Sequence, residues 1–128
     1  MKEEMIRYLV HEAEKSVRMA IAPYSEFQVG AALLTEKGKI YRGCNIENSS
    51  LMLSVCAENV ALTKALSEGE KKFQAMAIAC GTKEYCFPCG SCRQLLWEFA
   101  GDMDLLLCSR EGIKKYSLSE LLPYPFSK

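Results

Sequence analysis

The stretch CFPCGSCRQLLWEFA (86–100) places three cysteines at three-residue steps directly ahead of an apolar run at helical spacing. Two C-x-x-C pairs overlap there and share Cys89. Leu95, Leu96 and Phe99 recur on one side, which predicts a short helix over 89–100 that packs these three side chains. FQAMAIAC (73–80) precedes the stretch and MDLLLCS (103–109) follows it, and both read as buried strands. A strand, a helix and a second strand in close succession place the chain in the α/β class.

The rest of the chain extends this unit in both directions. Residues 2–20 carry Met5, Ile6, Leu9, Val10, Ala13, Val17 and Ala20 at helical spacing, with Pro23 as the expected stop. FQVGAALLT (27–35) and IYRGCNIE (40–47) read as two strands of a hairpin joined by a short connection containing Gly38. CAENVALTKALSEG (56–69) is helical, with Val60, Ala61, Leu62, Ala65 and Leu66 filling one side. IKKYSL (113–118) suits a last strand, and SLSELL (117–122) a short closing helix stopped by Pro123 and Pro125. The expected fold is a three-layer α-β-α arrangement around a mixed sheet of about five strands. With no repeat or linker in view, one domain is expected over 1–128.

Sixteen Lys and Arg balance sixteen Asp and Glu, so the chain lacks the basic footprint expected of a nucleic-acid binder. Its apolar runs are too short to span a bilayer, and the charged N-terminal segment lacks a signal-peptide core, so neither a nucleic-acid nor a membrane partner is expected. The expected compartment is the cytoplasm. There, an odd count of seven cysteines points away from a disulfide framework and toward metal or catalysis. Cys80 and Cys108 lie in apolar runs and read as small buried hydrophobes.

A second cysteine feature is Cys56-Ala57-Glu58, at the expected start of a helix. Cys56 and Cys89 would each sit at the positive end of a helix, which favours the metal-binding thiolate. One C-x-x-C supplies two ligands and Cys56 a third. Three protein ligands and one open position are the layout of catalytic rather than structural zinc. Glu58, two residues after a ligand, lies where it can handle the proton of a metal-activated water. Cys86 reads as a spare thiol near the site rather than a ligand.

These features together resemble the zinc deaminase pattern, in which a ligand, any residue and Glu are followed by P-C-x-x-C. The chain looks like a small cytidine deaminase of the homotetrameric type over nearly its whole length. The resemblance is carried by APYSEFQVGAALLTEKGKIYRGCNIEN (22–48), CAE (56–58), PCGSCRQ (88–94) and ELLPYPF (120–126). It implies Cys56, Cys89 and Cys92 as ligands of one Zn²⁺ per subunit, with Glu58 as the proton shuttle. It further implies that Asn45 and Glu47 hold the ribose 3′-hydroxyl, which suits an amide and a carboxylate on alternate residues of a strand end. Phe27 would pack against the base, backbone around Ala57 and Cys89 would contact the pyrimidine, and Phe126 would reach a neighbouring subunit's site. The implied reaction is hydrolytic, giving uridine from cytidine and deoxyuridine from deoxycytidine in pyrimidine salvage, with the small nucleoside as partner.

Two positions depart from the family pattern. Asn59 follows CAE where three-cysteine members commonly carry Arg, and Leu51 stands where many carry Tyr. Asn59 and the two helix N-termini, with Arg93, are the candidates for offsetting the charge of three thiolates on zinc. These departures keep open a deaminase of another aminopyrimidine nucleoside, such as blasticidin S. Two further classes remain at this stage: a protein in which zinc only staples the fold, and a thioredoxin-like redox protein built on CFPC.

Overall fold

The computed structural model describes all 128 residues. In chain order it contains α1 (Glu3–Val17), β1 (Gly30–Thr35), β2 (Ile40–Cys44), a 3₁₀ turn (Leu51–Leu53), α2 (Ala57–Ser67), β3 (Phe73–Ala79), α3 (Gly90–Ala100), β4 (Asp104–Ser109), β5 (Gly112–Ser117) and α4 (Leu118–Leu121). The sheet order is β2-β1-β3-β4-β5. Only β3 and β4 pair in parallel, and the other three pairs are antiparallel. The expected mixed five-stranded sheet is therefore present, and α3 makes the crossover between its two parallel strands.

The central strands are covered on both faces, which is why β1, β3 and β4 read as nearly unbroken apolar runs. On one face Leu9, Val10 and Ala13 of α1 pack against Ala32, Leu34, Ala75, Ala77 and Leu106. On the other, Ala57, Ala61, Leu62 and Ala65 of α2 and Leu96 of α3 pack against Leu33, Met76, Ile78, Leu105 and Leu107. The three layers follow directly from this division.

Two glycines let the helices press onto the sheet. A Cβ at Gly30 would lie 2.3 Å from the Ala13 carbonyl oxygen of α1. A Cβ at Gly43 would lie 2.4 Å from the Ala57 carbonyl oxygen and 2.5 Å from the Ala61 nitrogen of α2. Gly43 thus fixes how close the N-terminal turn of α2, which follows Cys56, comes to the sheet.

Four sequence expectations are corrected. The first strand begins at Gly30 rather than Phe27, because side chains replace the backbone ladder over 27–29. Asn45 Oδ1 accepts from the Val29 N–H at 2.8 Å, and Asn45 Nδ2 donates to the Phe27 carbonyl at 2.8 Å. The second strand ends at Cys44, with Ile46 forming only isolated bridges to Ile21 and Val55. The first helix stops at Val17 instead of running on toward Pro23, since Ile21 leaves it to pair with Ile46. Phe99, expected in the core, is 47% exposed. It falls on the outer side of α3, where Leu96 takes the buried position.

Candidate active site

Cys56 is the N-cap of α2 and Cys89 the N-cap of α3, and neither side chain makes a capping hydrogen bond. Their sulfurs are therefore not used by the helices they introduce. Cys92, one turn into α3, is buried. The three sulfurs lie within 4.8 Å of one another. Two helix N-termini converge here, each carrying partial positive charge. The Cys56 thiol is drawn down to about 6, chiefly by a hydrogen bond from Cys92, against burial and with help from Cys89. One thiolate held by neighbouring thiols is a site that takes up a cation by releasing protons. Cys86 stays outside the cluster, and burial first of all pushes its thiol up to about 12.

A cavity of about 310 Å³ opens beside these sulfurs, lined by Phe27, Asn45, Glu47, Cys56, Glu58 and Cys89 among others. Ala57, completely buried, contributes to the same wall. Glu58 is only 5% exposed. Burial is the main cause that raises it to about 7; its own backbone N–H opposes this, and Cys56 adds to it. A carboxyl poised near neutrality beside a metal-competent cluster can both give and take a proton.

Glu47, also on the cavity wall, is clamped. Its Oε1 accepts from the Tyr24 and Ser25 N–H groups, both at 3.0 Å, and its Oε2 accepts from the Ser25 hydroxyl. The Ser25 hydroxyl, followed by its backbone N–H, holds this carboxylate below the usual range. Asn45 and Glu47 reach one cavity from alternate residues, as expected, but lie past the end of β2 rather than on it. Both already brace the 24–29 loop. Asn45 Nδ2 keeps a second hydrogen, and the Glu47 oxygens keep lone pairs, for a ligand.

This arrangement was compared with known proteins. The family described as the cytidine and deoxycytidylate deaminase zinc-binding region matches residues 3–107. The chain belongs to that family. It is 45% identical over 125 residues to a cytidine deaminase of Sporosarcina psychrophila, covering 96% of this chain and 92% of the relative. It is 43% identical over 130 residues to a probable cytidine deaminase of Dictyostelium discoideum, covering all of this chain and 88% of that one. A crystal structure of cytidine deaminase from Burkholderia pseudomallei superposes with a TM-score of 0.91 at 38% identity, covering 98% of this chain and 100% of that chain.

The residues present fit the family's zinc. Tetrahedral zinc with Zn–S bonds near 2.3 Å needs sulfurs about 3.8 Å apart, a spacing that falls within the 4.8 Å limit of the cluster. Ser91, which sequence reasoning overlooked, places its hydroxyl 3.3 Å from the Cys89 sulfur, within reach to donate to it once Cys89 is a thiolate. It stands inside the C-x-x-C itself, where a hydroxyl was the available signal. The Asn59 side chain makes no hydrogen bond to a cysteine sulfur, and the Asn59 backbone carbonyl accepts from the Thr63 hydroxyl at 2.6 Å. Arg93 donates from Nε to the Pro88 carbonyl at 2.7 Å and from Nη1 to the Leu121 carbonyl at 2.7 Å. It thus ties the segment before Cys89 to α4. Phe126 is 72% exposed and does not line its own chain's cavity, although Gln94 Nε2 holds its carbonyl at 3.0 Å. Ser25 was also missed as a site residue, as was Phe87 on the cavity wall.

Proposed function

We propose that this chain is a zinc-dependent cytidine deaminase, converting cytidine and deoxycytidine to uridine and deoxyuridine with release of ammonia. The reading rests above all on Glu58: a buried carboxyl, raised to about 7, in a cavity that opens onto the cluster of three cysteine sulfurs. Cys56, Cys89 and Cys92 hold one zinc per subunit, and Ser91 supports Cys89. When bound, the zinc supplies a Lewis-acidic position that lowers the pKa of water. Glu58 takes a proton from the attacking water and delivers it to ring nitrogen N3, then takes the second proton from the new C4 hydroxyl and passes it to the amine, so that the C4–N bond breaks, ammonia leaves and the C4 carbonyl forms. Asn45 and Glu47 orient the ribose 3′-hydroxyl from the cavity wall. Phe27 packs on the base, and the Ala57 backbone borders it.

The unit is read as one cytidine deaminase-like domain over 1–128, serving pyrimidine salvage in the cytoplasm. No helix is long and apolar enough to cross a membrane. Homotetramer formation is supported by the exposed apolar side chains Met19, Ile21, Leu51, Met52 and Leu53, with Met52 at 95% exposure. In that assembly the exposed Phe126 reaches a neighbouring subunit's cavity.

The test is loss of ultraviolet absorbance with cytidine, deoxycytidine and blasticidin S, on protein purified without chelators and with zinc quantified in the same sample. One zinc per chain with turnover of both nucleosides is expected. Turnover of blasticidin S alone would reassign the substrate. Zinc without turnover would make the metal structural, and thiol–disulfide turnover without zinc would favour the redox class.

A further inference from the structure

Phe87 remains without a role in this scheme, yet it lines the same cavity as Phe27 and Glu58. It is 43% exposed, an unfavourable state for a large aromatic ring unless something covers it. We propose that Phe87 is a second aromatic wall for the pyrimidine ring, and that Tyr116 of β5 positions it. The proposal rests on the deaminase reading and extends it to recognition of the base.

The segment carrying Phe87 is fixed from several directions. The Phe87 and Tyr116 ring centroids lie 5.5 Å apart at an interplanar angle of 54°. That is a tilted aromatic contact of favourable geometry. Tyr116 in turn packs against the core that α2 and α3 form with the sheet. Two residues earlier, the Tyr85 ring lies under Lys114 Nζ of β5 at 4.5 Å. One residue later, the Pro88 carbonyl is held by Arg93.

The location separates base from sugar. Phe87 stands two residues before Cys89, on the segment that leads into the thiol cluster. Phe27 comes from the opposite loop, where its carbonyl is braced by Asn45. A planar heteroaromatic ring fits between apolar walls contributed by two loops, with polar groups at its ends. A residue at the thiol end should act on the ring that carries the C4 amine and be indifferent to the 2′-hydroxyl of the sugar.

The experiment compares the parent protein with Phe87→Ala, Phe87→Tyr and Tyr116→Leu. It reads KM and kcat for cytidine and deoxycytidine, Kd for both by titration calorimetry with each protein carrying Glu58→Gln so that the nucleoside is not consumed, zinc content and assembly mass. Phe87→Ala should raise KM and Kd about tenfold, the scale of one aromatic ring stacked on a base. The factor should be the same for both nucleosides, with kcat changed less and zinc retained. Phe87→Tyr should restore KM, and Tyr116→Leu should raise it by a smaller factor. An unchanged KM and Kd in Phe87→Ala would overturn the proposal, as would an altered preference between the two sugars. A lowered assembly mass with KM intact would assign the ring to subunit packing and also overturn it. A parent that binds cytidine without deaminating it would defeat the functional reading alone, since the Kd comparison still decides the role of Phe87. A parent that binds neither nucleoside would defeat both.

Discussion

Gly43→Ala should damage catalysis more than its effect on stability would suggest. The added Cβ would lie 2.4 Å from the Ala57 carbonyl oxygen and 2.5 Å from the Ala61 nitrogen, both backbone atoms. Ordinary contact needs about 3.5 Å. No rotamer change relieves the clash, so β2 and α2 must separate by roughly 1 Å. Overpacking of this kind costs about 1–3 kcal/mol, and each kcal/mol lowers Tm by about 4 °C in a domain of this size. Cys56 and Glu58 ride on the same helix turn, and a displacement of about 1 Å at reacting groups costs roughly 10²-fold in rate. The assay pairs thermal unfolding with kcat/KM for cytidine. Gly30→Ala supplies the control: its Cβ would meet the Ala13 carbonyl oxygen of α1 at 2.3 Å, on the face away from the thiol cluster. Both variants should lose stability, and Gly43→Ala should lose far more activity. Parental kcat/KM in Gly43→Ala, or equal kinetic losses in the two variants, would show that close seating of α2 does not set the geometry of the site.

Ser25→Ala removes the hydroxyl that chiefly depresses Glu47. A carboxylate depressed in the folded state stabilises the fold above its unfolded pKa and loses that contribution as pH falls through the folded value. With the hydroxyl gone, the Glu47 pKa should rise toward the ordinary carboxylate value, and the acid limb of KM for cytidine should move to higher pH. An unmoved limb would remove Ser25 from the clamp. Cys86→Ser should leave zinc bound and Cys92→Ser should lose it, read by metal analysis of purified protein; zinc loss in the first would make Cys86 a ligand. Asn59→Arg places a cation near the thiolates and should raise kcat or lower the pH at which activity rises; no change in either would show that Asn59 is no deficit.

Much of the layered fold was legible because burial on both faces makes β1, β3 and β4 nearly unbroken apolar runs, and the first helix shows a clear helical period. The zinc triad was legible because C-x-x-C and C-x-E both fall at helix N-termini. The 27–29 segment was not. Phe27 and Val29 have strand-like residue types, but the Asn45 amide takes the hydrogen bonds that a ladder would use. A bond from a side chain sixteen or eighteen residues away leaves no local pattern. Asn45 and Glu47 were expected at the site and they line the cavity, while their bracing of the 24–29 loop was not foreseen. Phe99 was misplaced because helical spacing allows two neighbouring faces, and only packing of Leu96 into the sheet selects one. Phe87 escaped notice because Tyr116, the partner that holds it, lies on another element.

Glu58→Gln, assayed for cytidine turnover and zinc content on the same preparation, isolates the proton-handling role. The amide keeps the size of the carboxyl but cannot carry its proton. The expected result is one zinc per chain, unchanged Tm within about 2 °C, and kcat lowered by at least 10²–10⁴-fold, the range for losing a general acid/base. Parental kcat with zinc in place would contradict Glu58 as the proton shuttle and, with it, the mechanism given for this chain.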